Sequence, residues 1–252
     1  SPAVSEEVNV EENPEELGEY LEGDILVPQS EVSMRTIRPR QSTTWPYGVV
    51  PYHIDGDFSE EHVDTILEAM DYIQNRSCII FVPHTDEEDY VTITNMYSGC
   101  WSAIGRIGGR QVLNLGSPSC LKRIGTSIHE LMHVLGFPHE QNRNIRDEYV
   151  LIISENIRSK FRRNFNRDKR SENFGVSYDY GSVMHYSQRA FSINGNPTIV
   201  PLVSSLQYVK LALVNTLHSQ QNTEPGVRIG QRKELSSADI LRLNRMYCQS
   251  ES

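Results

Sequence analysis

No run of about 18 apolar residues occurs in this chain, so a helical membrane span is excluded. Positive charge is also scarce: 24 Lys and Arg stand against 33 Asp and Glu, a net charge of −9 at pH 7. There is no basic field to attract nucleic acid. Cysteine is sparse and never arranged as CxxC. The four present, Cys78, Cys100, Cys120 and Cys248, are spaced too irregularly for a zinc knuckle and suit two disulfides, with three pairings open. The chain lacks an initial Met and any leader-like segment, which reads as a secreted precursor whose signal has been removed. In that setting the sequon Asn75-Arg76-Ser77 makes Asn75 a glycosylation candidate.

What is present is an ordinary globular composition, 38% hydrophobic and 23% charged. The length of 252 residues suffices for one large domain or two lobes around a shared cleft. The acidity is concentrated at one end. Residues 1–40 hold ten acidic and three basic side chains, which leaves the remainder nearly neutral. Residues 1–35, acidic, poor in aromatics and interrupted by Pro14, predict a separate segment that does not fold alone and taken by itself reads as a solvated tail. Arg35, Arg38 and Arg40 lie at the composition change, where a processing protease could cut.

From Trp45 the pattern becomes globular. "GVVPYHI" (48–54) reads as a strand, and Ser59 caps a helix carrying Val63, Ile66, Leu67, Met70 and Ile73 at helical spacing. Short strand-like runs follow at "CIIFV" (78–82), "YVTIT" (90–94), "WSAIG" (101–105) and "QVLNL" (111–115). A second helix is predicted from about Ile124 to Leu135, with Ile128, Leu131, Met132 and Leu135 as its buried stripe and Gly136 as its stop. A loop-rich stretch with little periodicity runs to about residue 200. A last helix opens at "SSAD", where Ser236 and Asp239 can form a capping box. Only four residues follow Cys248, so no accessory C-terminal module is expected.

The chemistry is concentrated in "HELMHVLGFPHEQ" (129–141). On a helix His129 and His133 lie one turn apart on one side, so both imidazoles reach one ion, while Glu130 sits about 100° round, able to hold a water without being a ligand. The apolar stripe contains neither histidine, so core packing does not account for them. HExxH alone recurs by chance; Gly136 and His139 at their offsets make the pattern specific, because a bend after His133 can return His139 to the same metal. Three neutral imidazoles leave a fourth position open for water, the mark of a catalytic rather than a structural zinc.

Extended by Glu140-Gln141 and Arg143, this motif resembles that of the astacin family of zinc endopeptidases, within the metzincin group. "SVMHY" (182–186) resembles the turn whose methionine, here Met184, floors the metal site. The resemblance spans about residues 36 to 248. It implies an α+β fold of two lobes flanking a horizontal active-site cleft. The N-terminal lobe would hold a twisted mixed sheet and two long helices, and the C-terminal lobe would be mostly irregular with a terminal helix. It implies one Zn2+ per chain on His129, His133 and His139, with Glu130 as general base and Tyr186 as a ligand that swings away to stabilise the transition state. Gly136, Glu140 and Met184 would be structural. Disulfides would join Cys78 to Cys248 and Cys100 to Cys120. Substrate would lie antiparallel along an edge strand, here Cys100, Trp101, Ser102, Ala103 and Ile104, leaving specificity to pockets.

The resemblance also changes the meaning of the acidic segment. Astacin precursors carry an FxGD motif whose aspartate occupies the metal, and "LEGD" (21–24) matches it with Leu21 in place of Phe, making Asp24 the inhibitory ligand. The domains implied are an inhibitory propeptide, 1–35, and a catalytic domain, 36–252. A trypsin-like activator would cut at Arg35–Thr36, with Arg40–Gln41 second and Arg38 disfavoured by Pro39; in mature astacins the new N-terminus lies near the residue matching Glu140. Three features depart from the family. Ile145 replaces an Asp, and residues 203–226 are an atypical insertion. Tyr178 and Tyr180 match family aromatics, with packing as their only expected role. The expected function is a secreted monomeric endopeptidase, made latent, that cuts proteins or peptides through a zinc-bound water and a glutamate base. The alternative is a non-catalytic zinc-containing adhesion or binding module of the same fold.

Overall fold

The structure, a computed structural model, describes residues 13–27, 43–169, 171–172, 174–202 and 227–248. The expected cleavage positions, Arg35, Arg38 and Arg40, and the insertion 203–226 lie outside the described residues.

A five-stranded mixed sheet dominates the first half: β1 (Val49–Ile54), β2 (Ile80–Pro83), β3 (Tyr90–Thr94), β4 (Cys100–Ser102) and β5 (Arg110–Leu115), in the order β2-β1-β3-β5-β4. The first four positions are parallel, and only β4, at one edge, runs antiparallel to its neighbour, with Trp101 opposite Asn114. β3 is buried at four consecutive positions, as expected of a strand covered on both faces. Helices α1 (Glu60–Gln74) and α2 (Ile124–Val134) pack on one another, with α1 against β2 and α2 against β4 and β5. Ser59 caps α1 by accepting the His62 N–H, the role its position predicted. Ile66, Ala69, Met70 and Ile73 of α1 and Ile128, Leu131 and Met132 of α2 close one hydrophobic core over Val91, Ile93, Leu113 and Leu115.

The second half is mostly irregular, as expected. It does contain a two-stranded antiparallel sheet that the sequence did not reveal, β6 (Val150–Ile152) paired with β7 (Ile199–Pro201). Strands of three residues are too short for alternation to register. Around them a second cluster gathers Val150, Phe161, Phe165, Tyr178, Tyr186, Phe191 and Ile199. The terminal helix α3 (Ser237–Tyr247) opens with the expected capping box between Ser236 and Asp239. Cys78 is joined to Cys248 and Cys100 to Cys120. The first link ties the segment after α1 to the end of α3.

Two expectations need correction. The strand read over 101–105 ends at Ser102, because Gly105 turns into the left-handed region (φ +70°) and donates its N–H to the His133 carbonyl at 2.8 Å. Ala103 and Ile104 therefore lie beyond the edge strand. The acidic segment, read by itself as a solvated tail, is folded onto the protein over residues 13–27, with Glu15, Glu16 and Asp24 buried.

Candidate metal centre

Helix α2 delivers His129 and His133 on successive turns, and every residue from Gly125 to Val134 is buried. The side away from the apolar stripe is thus covered too, by the acidic segment and by residues 182–186. The helix ends in a Schellman arrangement: the Gly136 N–H donates to the His133 carbonyl at 2.8 Å and the Phe137 N–H to the Met132 carbonyl at 3.0 Å. Gly136 takes φ +100°, a left-handed conformation that side chains rarely adopt. The bend brings His139 back to face the other two imidazoles, with ring centroids 5.3 Å from His129 and 4.7 Å from His133.

Each imidazole is oriented by an oxygen on its far nitrogen. His129 Nδ1 donates to the Val183 carbonyl at 2.8 Å and His133 Nδ1 to the Phe137 carbonyl at 2.7 Å. His139 Nδ1 meets the Glu22 carboxylate at 2.8 Å. All three Nε2 atoms then face one point, shared with Asp24 Oδ2 at 3.1 Å from His129, 3.6 Å from His133 and 3.2 Å from His139. A tetrahedral ion with bonds of about 2.0–2.1 Å keeps its ligand atoms roughly 3.3 Å apart. The donor set of three imidazoles and a carboxylate suits zinc. Residues and spacing therefore fit one Zn2+.

Burial would raise the Asp24 carboxyl, but His139 and His133 beside it hold it well below the usual range. Burial likewise pulls His139 down, and Asp24 and Glu22 outweigh it, pushing that imidazole up to about 9. The two shifts are mutual: the imidazoles put positive potential on Asp24, and Asp24 with Glu22 puts negative potential on His139. Glu130 is fully buried, and neither carboxylate oxygen has a hydrogen-bond partner. Burial, with the Asp24 charge adding to it, pushes its carboxyl well above the ordinary range. Its backbone carbonyl accepts from the Ser102 hydroxyl at 3.2 Å, which ties α2 to the edge strand.

Met184 lies fully buried in the core, and its carbonyl accepts the Glu140 N–H at 3.0 Å. Glu140 meets Arg143 at 2.7 Å and Arg242 at 2.6 Å. The Tyr186 ring packs 4.6 Å from His139, and its hydroxyl donates to the Glu22 carbonyl. Asp24 is carried in by a segment that runs parallel to β4: the Ser102 N–H donates to the Asp24 carbonyl at 2.9 Å and the Leu26 N–H to the Ser102 carbonyl at 2.8 Å. Asn75 is exposed just past α1. Ile145, in place of an acid, packs at the border of the second cluster.

A profile of the astacin peptidase family matches residues 37–248. The chain belongs to the astacin family. It is 34% identical to the low choriolytic enzyme of Oryzias latipes over 93% of this chain and 80% of that protein. It is 38% identical to the mouse astacin-like metalloendopeptidase over 100% of this chain and 53% of that protein. Among solved structures, the high choriolytic enzyme 1 of Oryzias latipes, a hatching enzyme zinc-protease, superposes with a TM-score of 0.71 at 36% identity, covering 84% of this chain and 98% of that one. The chain thus spans most of the first relative and about half of the second. The astacin centre accounts for one zinc on His129, His133 and His139.

Sequence reasoning missed several functional contacts. Glu22 lies inside the "LEGD" motif, yet nothing in the motif announced its hydrogen bond to His139. Tyr178 and Tyr180, expected only to pack, carry polar roles. The Tyr178 hydroxyl is 2.6 Å from His185 Nε2, and the Tyr180 hydroxyl donates to the Tyr149 and Leu202 carbonyls at 2.7 and 3.1 Å.

Proposed function

We propose that this chain is the latent precursor of a secreted zinc endopeptidase, with residues 1–35 as inhibitory propeptide and 36–252 as catalytic domain. The observation that carries the reading is the convergence of three imidazole Nε2 atoms and one carboxylate on a single point, beside a buried glutamate without hydrogen bonds. His129, His133 and His139 would hold the zinc, with Gly136 supplying the bend and Met184 and Glu140 supporting the turn beneath. Zinc supplies there a Lewis acid that polarises a peptide carbonyl and acidifies water. Glu130, buried beside the three histidines with its carboxylate free of hydrogen bonds, would take a proton from the attacking water and deliver it to the leaving amine. The Tyr186 hydroxyl now caps the Glu22 carbonyl; once that segment leaves, it is free to donate to the oxyanion of a substrate. The backbone of Ser102 on β4 would pair with an extended substrate, using the groups that Asp24 and Leu26 now occupy.

Asp24 would keep the precursor inactive by taking the position a reacting group needs. A trypsin-like protease cutting at Arg35–Thr36 would release it. Secretion fits the two disulfides. No helix among the described residues is long and apolar enough to cross a membrane. Asn75 would carry glycan. The substrates are proteins or peptides, and the enzyme is read as a monomer. A purely structural zinc module would have no use for Glu130, whose buried carboxyl otherwise only destabilises the fold.

The test is Glu130→Ala in the full chain, assayed after trypsin treatment on a quenched peptide, with and without chelator, beside metal analysis. We expect about one zinc per chain and at least a 100-fold loss of turnover relative to the trypsin-treated parent. Retained turnover in that variant would remove the general-base assignment, and absence of metal from the parent would remove the whole reading.

A further inference from the structure

Residues 13–27 do more than deliver Asp24. The 3-10 turn Pro14–Leu17 sinks Glu15 and Glu16 beside the cleft, 0% and 5% exposed. Glu15 is ion-paired with Nε of Arg232, itself buried, while Arg232 Nη1 donates to the His185 carbonyl at 3.0 Å. Glu16 accepts from the Ser187 N–H at 2.7 Å, the Ser187 hydroxyl at 2.5 Å and the Asn13 amide at 2.9 Å. Asn13 donates to the Gly230 carbonyl and accepts from Arg123, both at 3.1 Å. These partners come from three places around the metal centre: Arg123 precedes α2, Ser187 follows Tyr186, and Arg232 lies shortly before α3.

The two ends of the segment are packed into one body. A Cβ on Gly18 would overlap the Gly23 carbonyl oxygen, so the chain closes on itself only because residue 18 has no side chain. The Gly23 N–H donates to the Tyr20 carbonyl at 3.1 Å and the Ile25 N–H to the Leu21 carbonyl at 2.9 Å. Glu15 and Asp24 are therefore two feet of a compact plug rather than points on a loose tether.

We propose that the Arg232–Ser187 pocket is a carboxylate-binding site for Glu15 and Glu16 of the same chain, so that two separate anchors hold the plug in the cleft. The inference rests on the precursor reading above and adds to it that removing Asp24 alone leaves the cleft covered. Hydrogen bonds to a buried charged group each contribute roughly tenfold or more in occupancy. Two of them, both from Ser187, tie Glu16 to the rest of the protein, Asn13 adding a third within the plug, and a buried guanidinium meets Glu15. With Asp24 gone, the Ser102 backbone and the Tyr186 hydroxyl would still be engaged by the plug.

The experiment uses the full chain in four forms: parent, Asp24→Ala, Glu15→Gln/Glu16→Gln, and the triple variant. Each is assayed on a quenched peptide before and after trypsin, and by hydrogen exchange at the Gly23, Ile25 and Leu26 amides without substrate. We expect Asp24→Ala to show under about a tenth of the trypsin-activated rate and to keep exchange protection within about tenfold of the parent. The triple variant should be active without trypsin, with protection lower by about 100-fold or more. Full activity of Asp24→Ala alone, or exchange in it as fast as in the triple variant, overturns the proposal. So does a triple variant that stays latent until trypsin is added. If trypsin activates none of the four, the peptidase reading falls, while the exchange comparison still decides the two-anchor clamp. Amide protection in α1 and α2 checks folding. Should the triple variant not fold, Glu15→Gln/Glu16→Gln decides alone: Ile25 exchange at least about tenfold faster supports the clamp, and unchanged exchange overturns it.

Discussion

His185 sits between Met184 and Tyr186 and is wholly buried, an expensive place for an imidazole. Burial pushes its pKa down to about 3, so it is neutral at physiological pH. Its two nitrogens then have distinct duties: Nδ1 donates to the Tyr186 carbonyl at 2.8 Å, and Nε2 accepts from the Tyr178 hydroxyl at 2.6 Å. Tyr178→Phe leaves that acceptor buried without a partner. We expect a loss of about 1–3 kcal/mol, read as a lower Tm in calorimetry, with zinc content unchanged. A Tm unchanged within error would show that Tyr178 only packs. At this scale His129, His133 and Glu130 could be read from helical spacing, and His139 from the glycine three residues before it that marks a bend back to the helix. The partners that orient them could not. Val183 contributes a carbonyl and Glu22 a carboxylate through tertiary approach, of which local sequence says nothing, while the Phe137 carbonyl reaches His133 from only four residues on, through the bend after the helix.

Asp239 joins two elements. It completes the capping box at the start of α3, accepting the Ser236 N–H at 3.1 Å, and it also accepts the Val183 N–H at 2.9 Å and the Ser182 hydroxyl at 2.6 Å in the turn under the metal. Arg242 meets the same carboxylate at 2.9 Å. Ser236→Ala removes the cap and the hydroxyl's hydrogen bond to Asp179, and should cost about 1 kcal/mol. Asp239→Ala takes from buried Arg242 one of its two carboxylate partners, Glu140 remaining, and leaves the Val183 N–H and Ser182 hydroxyl of the turn unpaired, for which roughly 3 kcal/mol is expected, together with faster zinc loss to a chelator. Equal Tm shifts in the two variants would show that the carboxylate does nothing beyond capping. The capping box was legible because it is a local pattern of Ser and Asp three residues apart. The sheet of β6 and β7 was not, since its strands lie 47 residues apart and are only three residues long. The edge strand was read too long because a hydrogen bond from Gly105 to α2, not propensity, ends it.

At the scale of the whole molecule, composition misled in one respect. An acidic, aromatic-poor stretch does not fold alone, and it does not need to here: Glu15, Glu16 and Asp24 find arginine, hydroxyl and imidazole partners across the cleft. Charge that looks solvated in one dimension is neutralised in three. The link between Cys78 and Cys248 has a practical consequence for anyone handling this protein. Every peptide bond from β2 to the end of α3 lies within one covalent ring. A protease nick between β7 and residue 227 therefore releases nothing: both pieces should run as a single band on a gel without reductant and separate once dithiothreitol is added. Two bands before reduction would mean that the ring is open.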